Sequence, residues 1–272
     1  MKVLTTGTGS GLGRSIHEAF GGFAWTRDLQ HSDRERLKPQ GVDVIIHCAF
    51  NSIRNVPMEA LYGYVQDNVL LTRELVTIRH KKFIFISSVD VYPKDGGRYS
   101  EDQRIDISKL TSTYGWTKLM SEAIVCQHCP NYLILRCVSL LGPYMRKNSL
   151  LRILEDDPCT LTLTGDSEFN YVLHSDLVEF IRFSLENNLR GVYNVSSNGN
   201  ISLMHVAAML GKSVGFGNYN YMVGNIDNHK IASLFPAFRK TSQEVIKEFA
   251  RQRAGTSCVA SPLHHENRLS QP

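Results

Sequence analysis

The segment Lys2-Val3-Leu4-Thr5-Thr6-Gly7-Thr8-Gly9-Ser10-Gly11-Leu12-Gly13, in a chain of 272 residues, decides the predicted fold. Residues 2–6 have the character of a buried strand, and residues 12–20 have the apolar spacing of a helix. The glycines therefore form the turn between the first strand and the first helix. The N–H groups and the dipole of a helix N-terminus attract phosphate, and glycine lets a pyrophosphate approach the backbone. This position predicts a dinucleotide site.

The spacing of the glycines narrows the kind of site. Glycines at 7, 11 and 13 give G-x-x-x-G-x-G, where many dinucleotide enzymes have G-x-G-x-x-G. No Gly-Lys-Ser/Thr follows, which argues against a mononucleotide P-loop. A purely structural turn would also use glycines, so the position between strand and helix carries the prediction. The predicted cofactor contacts in this turn are Gly7, Thr8, Gly9, Ser10, Gly11, Leu12 and Gly13.

Outward from this turn, apolar runs of strand length alternate with longer helical patterns. The predicted strands are residues 2–6, 23–26, 42–48, 82–87 and 132–137, and the predicted helices are residues 12–20, 58–78 and 114–126. Continuous apolar strands separated by helices indicate a parallel sheet covered on both faces. The predicted fold class is α/β, a Rossmann-like doubly wound parallel sheet with a small mixed substrate lobe on its C-terminal side.

The character of the chain changes after Gly142-Pro143, where the predicted elements become shorter and more mixed. We therefore predict a dinucleotide-binding core over residues 1–143. Residues 144–254 form mostly the substrate lobe, with some elements returning to the core. Residues 255–272 have no periodicity and are predicted to be a disordered tail.

Composition and charge exclude several classes of protein. The net charge is +4 with histidine neutral, and the basic residues are scattered, which argues against nucleic acid and membrane partners. No charged leader and no apolar run near about 20 residues are found, so a cytoplasmic protein is expected. Cys126 and Cys129 have C-x-x-C spacing but lack a second ligand pair, so no metal site is predicted.

The end of the second strand selects between NAD and NADP in such folds. An acidic residue there binds the ribose 2′-hydroxyl, whereas arginine accommodates a 2′-phosphate. If the strand ends at Thr26, Arg27 faces that position and NADP is favoured. If it ends one residue later, Asp28 takes the ribose. NADP is the preferred prediction and NAD is the alternative. If Arg27 is only a solvated surface charge, it does not indicate which of the two cofactors binds.

Three further residues suggest proton chemistry beside the cofactor. Tyr114 and Lys118 lie four apart at the start of a predicted helix, hence on one face of it. A lysine ammonium near a phenol favours the phenolate, so the tyrosine can exchange a proton with a substrate hydroxyl. Ser88 follows a buried strand and can hold the substrate oxygen. Each feature alone is common on ordinary helices and strand ends; together and in this order they predict a catalytic site.

At this point the chain resembles the extended short-chain dehydrogenases, and within them the NAD-dependent epimerase/dehydratase family, which includes keto-sugar reductases. The resemblance covers roughly residues 1–250. It is carried by Thr6-Gly7 with its glycines, Ile86-Ser87-Ser88-Val89-Asp90-Val91-Tyr92-Pro93, Tyr114-Gly115-Trp116-Thr117-Lys118-Leu119-Met120-Ser121-Glu122, Leu135-Arg136 with Gly142-Pro143, Val172-Leu173-His174-Ser175-Asp176-Leu177, and Gly191-Val192-Tyr193-Asn194-Val195.

The resemblance implies roles for individual residues. Ser88, rather than Ser87, is the catalytic hydroxyl, beside Tyr114 and Lys118. The cofactor would also contact Cys48 and Ala49, Asn68 in the helix beside the site, Ser87, Tyr114 and Lys118. The predicted substrate contacts are Ser88, Val89, Tyr114, Ser139 and Arg146; Ser139 stands where many family members have a polar amide, and Arg146 is predicted from its charge rather than from the resemblance.

Two departures from the family pattern matter, one in the glycine turn and one in the substrate lobe. Ser10 replaces the middle glycine, and Phe169 stands where many members have an arginine that grips the nucleotide diphosphate. The candidates to replace this arginine are the basic residues Arg146, Lys147, Arg152, Lys230 and Arg239, although a solvated basic face would have the same sequence pattern.

The predicted function is NAD(P)-dependent oxidation, reduction or epimerisation of a sugar carbon, with a nucleotide-linked sugar as substrate. A non-sugar carbonyl reductase and a cofactor-binding regulator or scaffold are the alternatives. Helices 58–78 and 114–126 are expected to pair across a two-fold axis in a homodimer. The apolar residues that would form this interface, or equally would pack in the core, are Leu61, Val65, Leu71, Leu75, Leu119 and Ile124.

Overall fold

A computed structural model describes residues 1–29, 32, 34, 39–53 and 55–257 of the chain. Its centre is a sheet of six strands, numbered here in chain order: β1 Val3–Thr6, β2 Phe23–Trp25, β3 Val42–His47, β4 His80–Ser88, β5 Tyr132–Cys137 and β6 Gly191–Val195. All neighbouring strands are parallel, in the order β2-β1-β3-β4-β5-β6. This arrangement confirms the predicted doubly wound sheet.

The helices alternate with these strands. They are α1 Gly11–Phe20, α2 over residues 61–76, α3 Thr113–His128, α4 Ser149–Glu155, α5 His174–Glu186, α6 Leu203–Met209, α7 His229–Leu234 and α8 Ser242–Ser257. Within α2, the segments Leu61–Val65 and Leu71–Val76 are α-helical, and Gln66–Leu70 between them is a π-helical turn. Among the described residues, no helix combines the length and hydropathy needed to cross a bilayer.

Alternate side chains of each strand enter separate cores on the two faces of the sheet. Leu4, Ile45 and Phe85 pack under α2 and α3, against Leu75 and Val125. On the opposite face, residues one position away pack under α1 and α5. Val3, Ile46 and Ile86 are examples, and they share this core with Ile16 of α1 and Leu177 of α5. Burial on both faces explains why these strands lack a polar alternation in the sequence.

A third core lies in the chain beyond β5. It joins α4, α6 and α8 through residues such as Leu150, Val206, Ile246 and Phe249. Short strand pairs frame this second lobe and its contact with the loop after β4: Ser139–Leu141 with Tyr171–Leu173, Glu168–Phe169 with Ile201–Ser202, Cys159–Thr160 with Val214–Gly215, and Arg98–Tyr99 with Asn225–Ile226.

Several predicted boundaries differ from the structure by a few residues, and two of them bear on the cofactor and tail predictions. Strand β2 ends at Trp25, one residue before the predicted end at Thr26. Helix α8 continues to Ser257, past position 255 where the tail was predicted to begin. The rest of the predicted tail, residues 258–272, lies outside the described residues.

Candidate active site

The strand order brings two turns together at the carboxyl edge of the sheet. The chain leaves β1 towards β2 and returns on the other side as β3, so the ends of β1 and β3 flank a crevice, the usual ligand position in such sheets. Thr6 joins these two ends. Its hydroxyl contacts His47 Nδ1 at 2.8 Å and accepts the N–H groups of Cys48 and Ala49 at 3.0 and 2.8 Å.

Close packing explains two of the glycines in the first turn. Gly7 has a φ of +73°, and a Cβ there would lie 2.9 Å from the Ala49 nitrogen. A Cβ on Gly13 would lie 2.2 Å from the Gly7 carbonyl oxygen. Gly9 differs, since a Cβ there would meet nothing within 4 Å. The Gly11 N–H donates to the Tyr144 carbonyl at 2.7 Å, which brings the chain after β5 against the turn.

Two cavities open beside this turn. The glycine-turn cavity has a volume of about 410 Å³. The predicted residues that line it are Gly7, Ser10, Gly11, Leu12, Gly13, Cys48, Ala49, Ser87, Ser88, Tyr114, Lys118 and Arg146. The second-lobe cavity, of about 450 Å³, is lined by the predicted residues Ser88, Val89, Tyr114, Ser139 and Lys147. Ser88 and Tyr114 therefore border both spaces.

The packing of α3 against β4 brings Tyr114 to Ser88. Ser112 caps α3 by accepting the Gly115 N–H at 2.9 Å. A Cβ on Gly115 would lie 2.2 Å from the Asp90 carbonyl oxygen, so glycine allows the first turn of α3 to touch the chain that follows β4. Ser88 lies at the end of that strand, and its Oγ accepts the Asp90 N–H at 3.1 Å.

Lys118 is buried below Tyr114. Its Nζ donates to the Ile86 carbonyl at 2.6 Å and lies 3.6 Å from the centre of the Phe50 ring and 5.8 Å from that of Tyr114. Burial lowers the pKa of Lys118 to about 7, although the nearby Cys137, Cys48 and Glu122 oppose that change. An ammonium at this position can favour the phenolate form of a neighbouring tyrosine.

The two serines at the end of β4 have different partners. Ser87 Oγ donates to the Glu122 carboxylate at 2.5 Å, and Arg136 binds the same carboxylate with an Nη2 distance of 2.7 Å. Arg136 also donates to the Tyr92 hydroxyl at 2.8 Å. The Ser87 side chain thus belongs to a buried polar network, whereas Ser88 borders both cavities.

Several predicted cofactor residues lie away from the glycine-turn cavity. Thr8, Gly9, Arg27, Asp28 and Asn68 are not among the residues that line it. The Arg27 side chain is 82% exposed and pairs with Asp67 at 2.7 Å. Asn68 is buried, and its amide bonds the main chain of Asn51 at 2.7 and 3.1 Å. Asn68 therefore holds the chain beside the cavity.

Some of the basic residues predicted in the second lobe border a cavity, and others do not. Arg146, predicted to contact substrate, lines the glycine-turn cavity and donates to Ser52 Oγ at 3.1 Å, because the chain after β5 lies against the turn. Lys147 borders the second-lobe cavity and pairs with Asp156 at 2.5 Å. Arg152, Lys230 and Arg239 border neither cavity. Phe169 packs against the rings of Tyr171 and Tyr221.

Sequence reasoning missed several residues of these cavities. Asp90 is buried, borders the second-lobe cavity and pairs with Lys94 at 3.0 Å; its charge directly after a buried strand was the available signal. Phe50 borders the glycine-turn cavity. Tyr221 and Val223 also border the second-lobe cavity, but they lie in a segment whose sequence has no helical or strand periodicity. In the described part of the chain, no group of three His, Cys, Asp or Glu side chains could hold a metal ion.

The glycine turn has the position and backbone of a phosphate-binding helix N-terminus. The N–H groups in the first turn of a helix lack partners within that helix, and α1 begins at the glycine-turn cavity, which Ser10, Gly11 and Leu12 line. Ser88, Tyr114 and Lys118 stand at the same cavity. A doubly wound sheet with this turn and these side chains defines the extended short-chain dehydrogenase type.

Comparison with family models identifies the family. The chain belongs to the NAD dependent epimerase/dehydratase family, whose model matches residues 18–196. It is therefore an NAD(P)-dependent enzyme, as the sequence predicted. None of the proteins with a curated description matches the chain.

Solved structures share the fold. UDP-glucuronic acid 4-epimerase from Bacillus cereus, in complex with UDP-glucuronic acid and NAD, is 22% identical with a TM-score of 0.75, over 93% of this chain and 100% of that one. dTDP-4-dehydrorhamnose reductase from Bacillus anthracis str. Ames, in complex with NADP, is 19% identical with a TM-score of 0.77, over the same shares of the two chains. Similarity at this level of identity establishes the fold.

Proposed function

We propose that the protein oxidises, reduces or epimerises a sugar carbon of a nucleotide-linked sugar. The observation that carries this proposal is the meeting of two cavities at Ser88 and Tyr114, one beside the glycine turn and one beneath the second lobe. A dinucleotide in the first and a substrate in the second would have their reacting groups next to the same two side chains.

The proposed chemistry assigns one task to each side chain. Ser88 Oγ binds the substrate oxygen and holds it against Tyr114. Tyr114 gives a proton to that oxygen during reduction and takes one during oxidation. Lys118 stabilises the phenolate through its charge. A bound nicotinamide supplies or accepts the hydride.

The second-lobe cavity supports a polar substrate with an anionic part. Its lining includes the polar side chains of Ser52, Ser139 and Asn148 together with the ammonium-bearing Lys147. A buried diphosphate needs cationic or N–H partners. Lys147 is the cation we assign to it. The two structures compared above were solved with UDP-glucuronic acid and NAD and with NADP, respectively, which is consistent with this class of substrate.

The cofactor we propose is NADP. Arg27 lies two residues beyond the end of β2 with an exposed guanidinium. Its pair with Asp67 is a surface ion pair, worth about 0–1 kcal/mol, so a 2′-phosphate can replace Asp67 as its partner. NAD, with the ribose bound by Asp28, is the alternative. We also propose that the protein is a homodimer.

A melting-temperature panel tests the substrate class. UDP, GDP and dTDP are added separately to the NADPH-loaded protein. A ligand that binds the native state at a hundredfold excess over its Kd should raise the melting temperature by about 5–10 °C. Lys147→Glu should abolish the rise without changing NADPH binding. Arg152→Glu is the matched control, because Arg152 also pairs with Asp156 but does not border the cavity.

The outcomes separate the candidate functions. No rise with any nucleotide at saturation would contradict a nucleotide-linked substrate and favour the non-sugar carbonyl reductase. If one nucleotide binds, turnover is measured with the matching nucleotide sugars. Tyr114→Phe should retain the rise in melting temperature and lose at least about a hundredfold in turnover. Near-wild-type turnover in that variant would contradict the proposed acid, and a wild type that binds both ligands without turnover would favour the regulator or scaffold.

A further inference from the structure

The Phe50 side chain touches both members of the Tyr114–Lys118 pair. It is half-buried and borders the glycine-turn cavity. The centre of its ring lies 3.6 Å from Lys118 Nζ. The ring also meets that of Tyr114 edge to face, at 5.4 Å between centroids and an angle of 82°. The residue lies in a segment without helix or strand, so no local pattern requires an aromatic side chain there.

The segment that carries Phe50 is anchored on both sides. The Ala49 N–H donates to Thr6 Oγ1 at 2.8 Å. Asn51 is bonded through its N–H and carbonyl to the buried amide of Asn68. Ser52 Oγ accepts from Arg146 at 3.1 Å. These anchors fix the backbone around residue 50 and thereby the position of the ring.

The Lys118 ammonium has few ionic partners to offset its burial. The residue is 3% exposed, and in the described part of the chain it forms no ion pair with a carboxylate. The nearest carboxylate on its own helix, Glu122, is bound by Arg136 and Ser87. The direct contacts of the ammonium are the Ile86 carbonyl and the rings of Phe50 and Phe85, the latter at 4.8 Å.

The other titratable groups that face Lys118 are mostly neutral. His47 at the end of β3 and Cys48 in the turn after it both face Lys118. Burial lowers the pKa of His47 to about 3 and raises that of Cys48 to about 12. From β5, burial raises the pKa of the Cys137 thiol. The remaining group is Tyr114 on the same helix. An aromatic face therefore stands where a carboxylate would ordinarily stabilise a buried ammonium.

We infer that Phe50 is a positioning residue, whose ring holds the Lys118 ammonium in place and in its charged form through a cation–π contact. A desolvated contact of this kind is among the stronger ones. Because the ring stabilises the charged form, its removal lowers the pKa of Lys118. The charged lysine is present below its pKa and is lost as pH rises through it. Without the ring, this loss should begin about 1 pH unit lower.

Competitive acylation measures this directly. The protein is labelled with trace acetic anhydride from pH 5 to pH 10, and modification of Lys118 is quantified by mass spectrometry. The titration midpoint should fall by about 1 pH unit in Phe50→Leu and in Phe50→Met, whose unbranched side chain has a similar volume but a different shape. In Phe50→Tyr, which keeps an aromatic face, it should remain at the wild-type value. Circular dichroism identifies the variants that keep the native fold.

Two results would overturn the inference. One is a wild-type midpoint in both aliphatic variants; the other is a fall in Phe50→Tyr as large as in Phe50→Leu. The consequence for turnover rests on the proposed function: the high-pH limb of kcat/KM should move with the labelling midpoint. Labelling needs no substrate, so absence of turnover would count against the proposed function alone, while the midpoints still decide the role of Phe50.

Discussion

At the scale of single residues, neighbouring side chains have unrelated roles because a strand directs them to opposite faces. Ser87 and Ser88 are adjacent in the sequence, yet Ser87 bonds Glu122 and borders only the glycine-turn cavity, whereas Ser88 borders both cavities. A hydroxyl at the end of a buried strand is thus a candidate site residue only when the register of that strand directs it to the ligand. The resemblance chose Ser88, and the geometry is consistent with that choice.

Cofactor preference belongs to this scale. Arg27→Ala should weaken NADPH binding by about 10–100-fold and leave NADH binding unchanged, since it removes a charge-assisted bond to the 2′-phosphate. Asp67→Asn is the matched control, because it removes the ion-pair partner of Arg27 and keeps the cation. NADPH binding should be retained or strengthened in it. Nicotinamide fluorescence measures both affinities. If the wild type binds NADH more tightly, the result contradicts NADP as the cofactor and favours Asp28 as the residue that binds the ribose.

At the scale of elements, a buried ion pair joins α3 to the sheet. The Arg136 side chain on β5 is 7% exposed and that of Glu122 on α3 is 5% exposed. The pair continues through Ser87 to β4 and through Tyr92 to Asn194 on β6. Such a network connects the helix that carries Tyr114 and Lys118 to the strand that carries Ser88. The relative position of these elements therefore depends on polar contacts as well as on apolar packing.

Removal of one partner should show this dependence. Glu122→Gln leaves the Arg136 guanidinium buried without its carboxylate, and the free energy of unfolding should fall by about 3–5 kcal/mol. Glu18→Gln breaks the exposed pair with Arg14 on α1 and should cost no more than about 0.5 kcal/mol. Urea unfolding compares the two variants. Equal, small losses would mean that the buried pair contributes no more than a surface pair.

At the scale of the whole molecule, the exposed apolar side chains qualify the proposed dimer interface. Of the residues that the sequence suggested, Leu61 is exposed, whereas Leu75 is buried in the core and the others are half-buried. The large apolar side chains that remain exposed on and just before α2, and on α3, are Met58, Leu61, Tyr62, Leu70, Trp116 and Met120. A pairing of these helices across a two-fold axis would cover them.

Sedimentation equilibrium tests this interface. The wild type should sediment as a dimer of the 30.7 kDa chain at micromolar concentration. Tyr62→Glu and Met120→Glu should dissociate it, because each places a charge in a buried apolar contact. Met204→Glu, on an exposed apolar residue of the second lobe, is the control and should remain dimeric. A wild type found only as a monomer would contradict the proposal.

The sequence by itself determined the order of the elements and the edge of the sheet at which the glycine turn lies. Strand β5 has the predicted bounds, and the turn of Gly7 to Gly13 lies at the β1–β3 switch point. These features follow from short-range signals, because the spacing of apolar residues and the positions of glycines determine local structure within a few residues. The motif around Tyr114 was visible for the same reason: residues four apart on a helix share a face whatever surrounds it.

Only the tertiary structure decided what stands opposite those residues. The Phe50 ring contacts Lys118, which lies tens of residues further along the chain. Arg146 and Lys147 are adjacent in the sequence, but they border different cavities, whose other walls come from distant parts of the chain. Such contacts have no local period. They depend on where a loop is anchored, as residues 49 to 52 are by Thr6, Asn68 and Arg146. A side chain one position along such a loop faces a different cavity, and no pattern in the sequence records that direction.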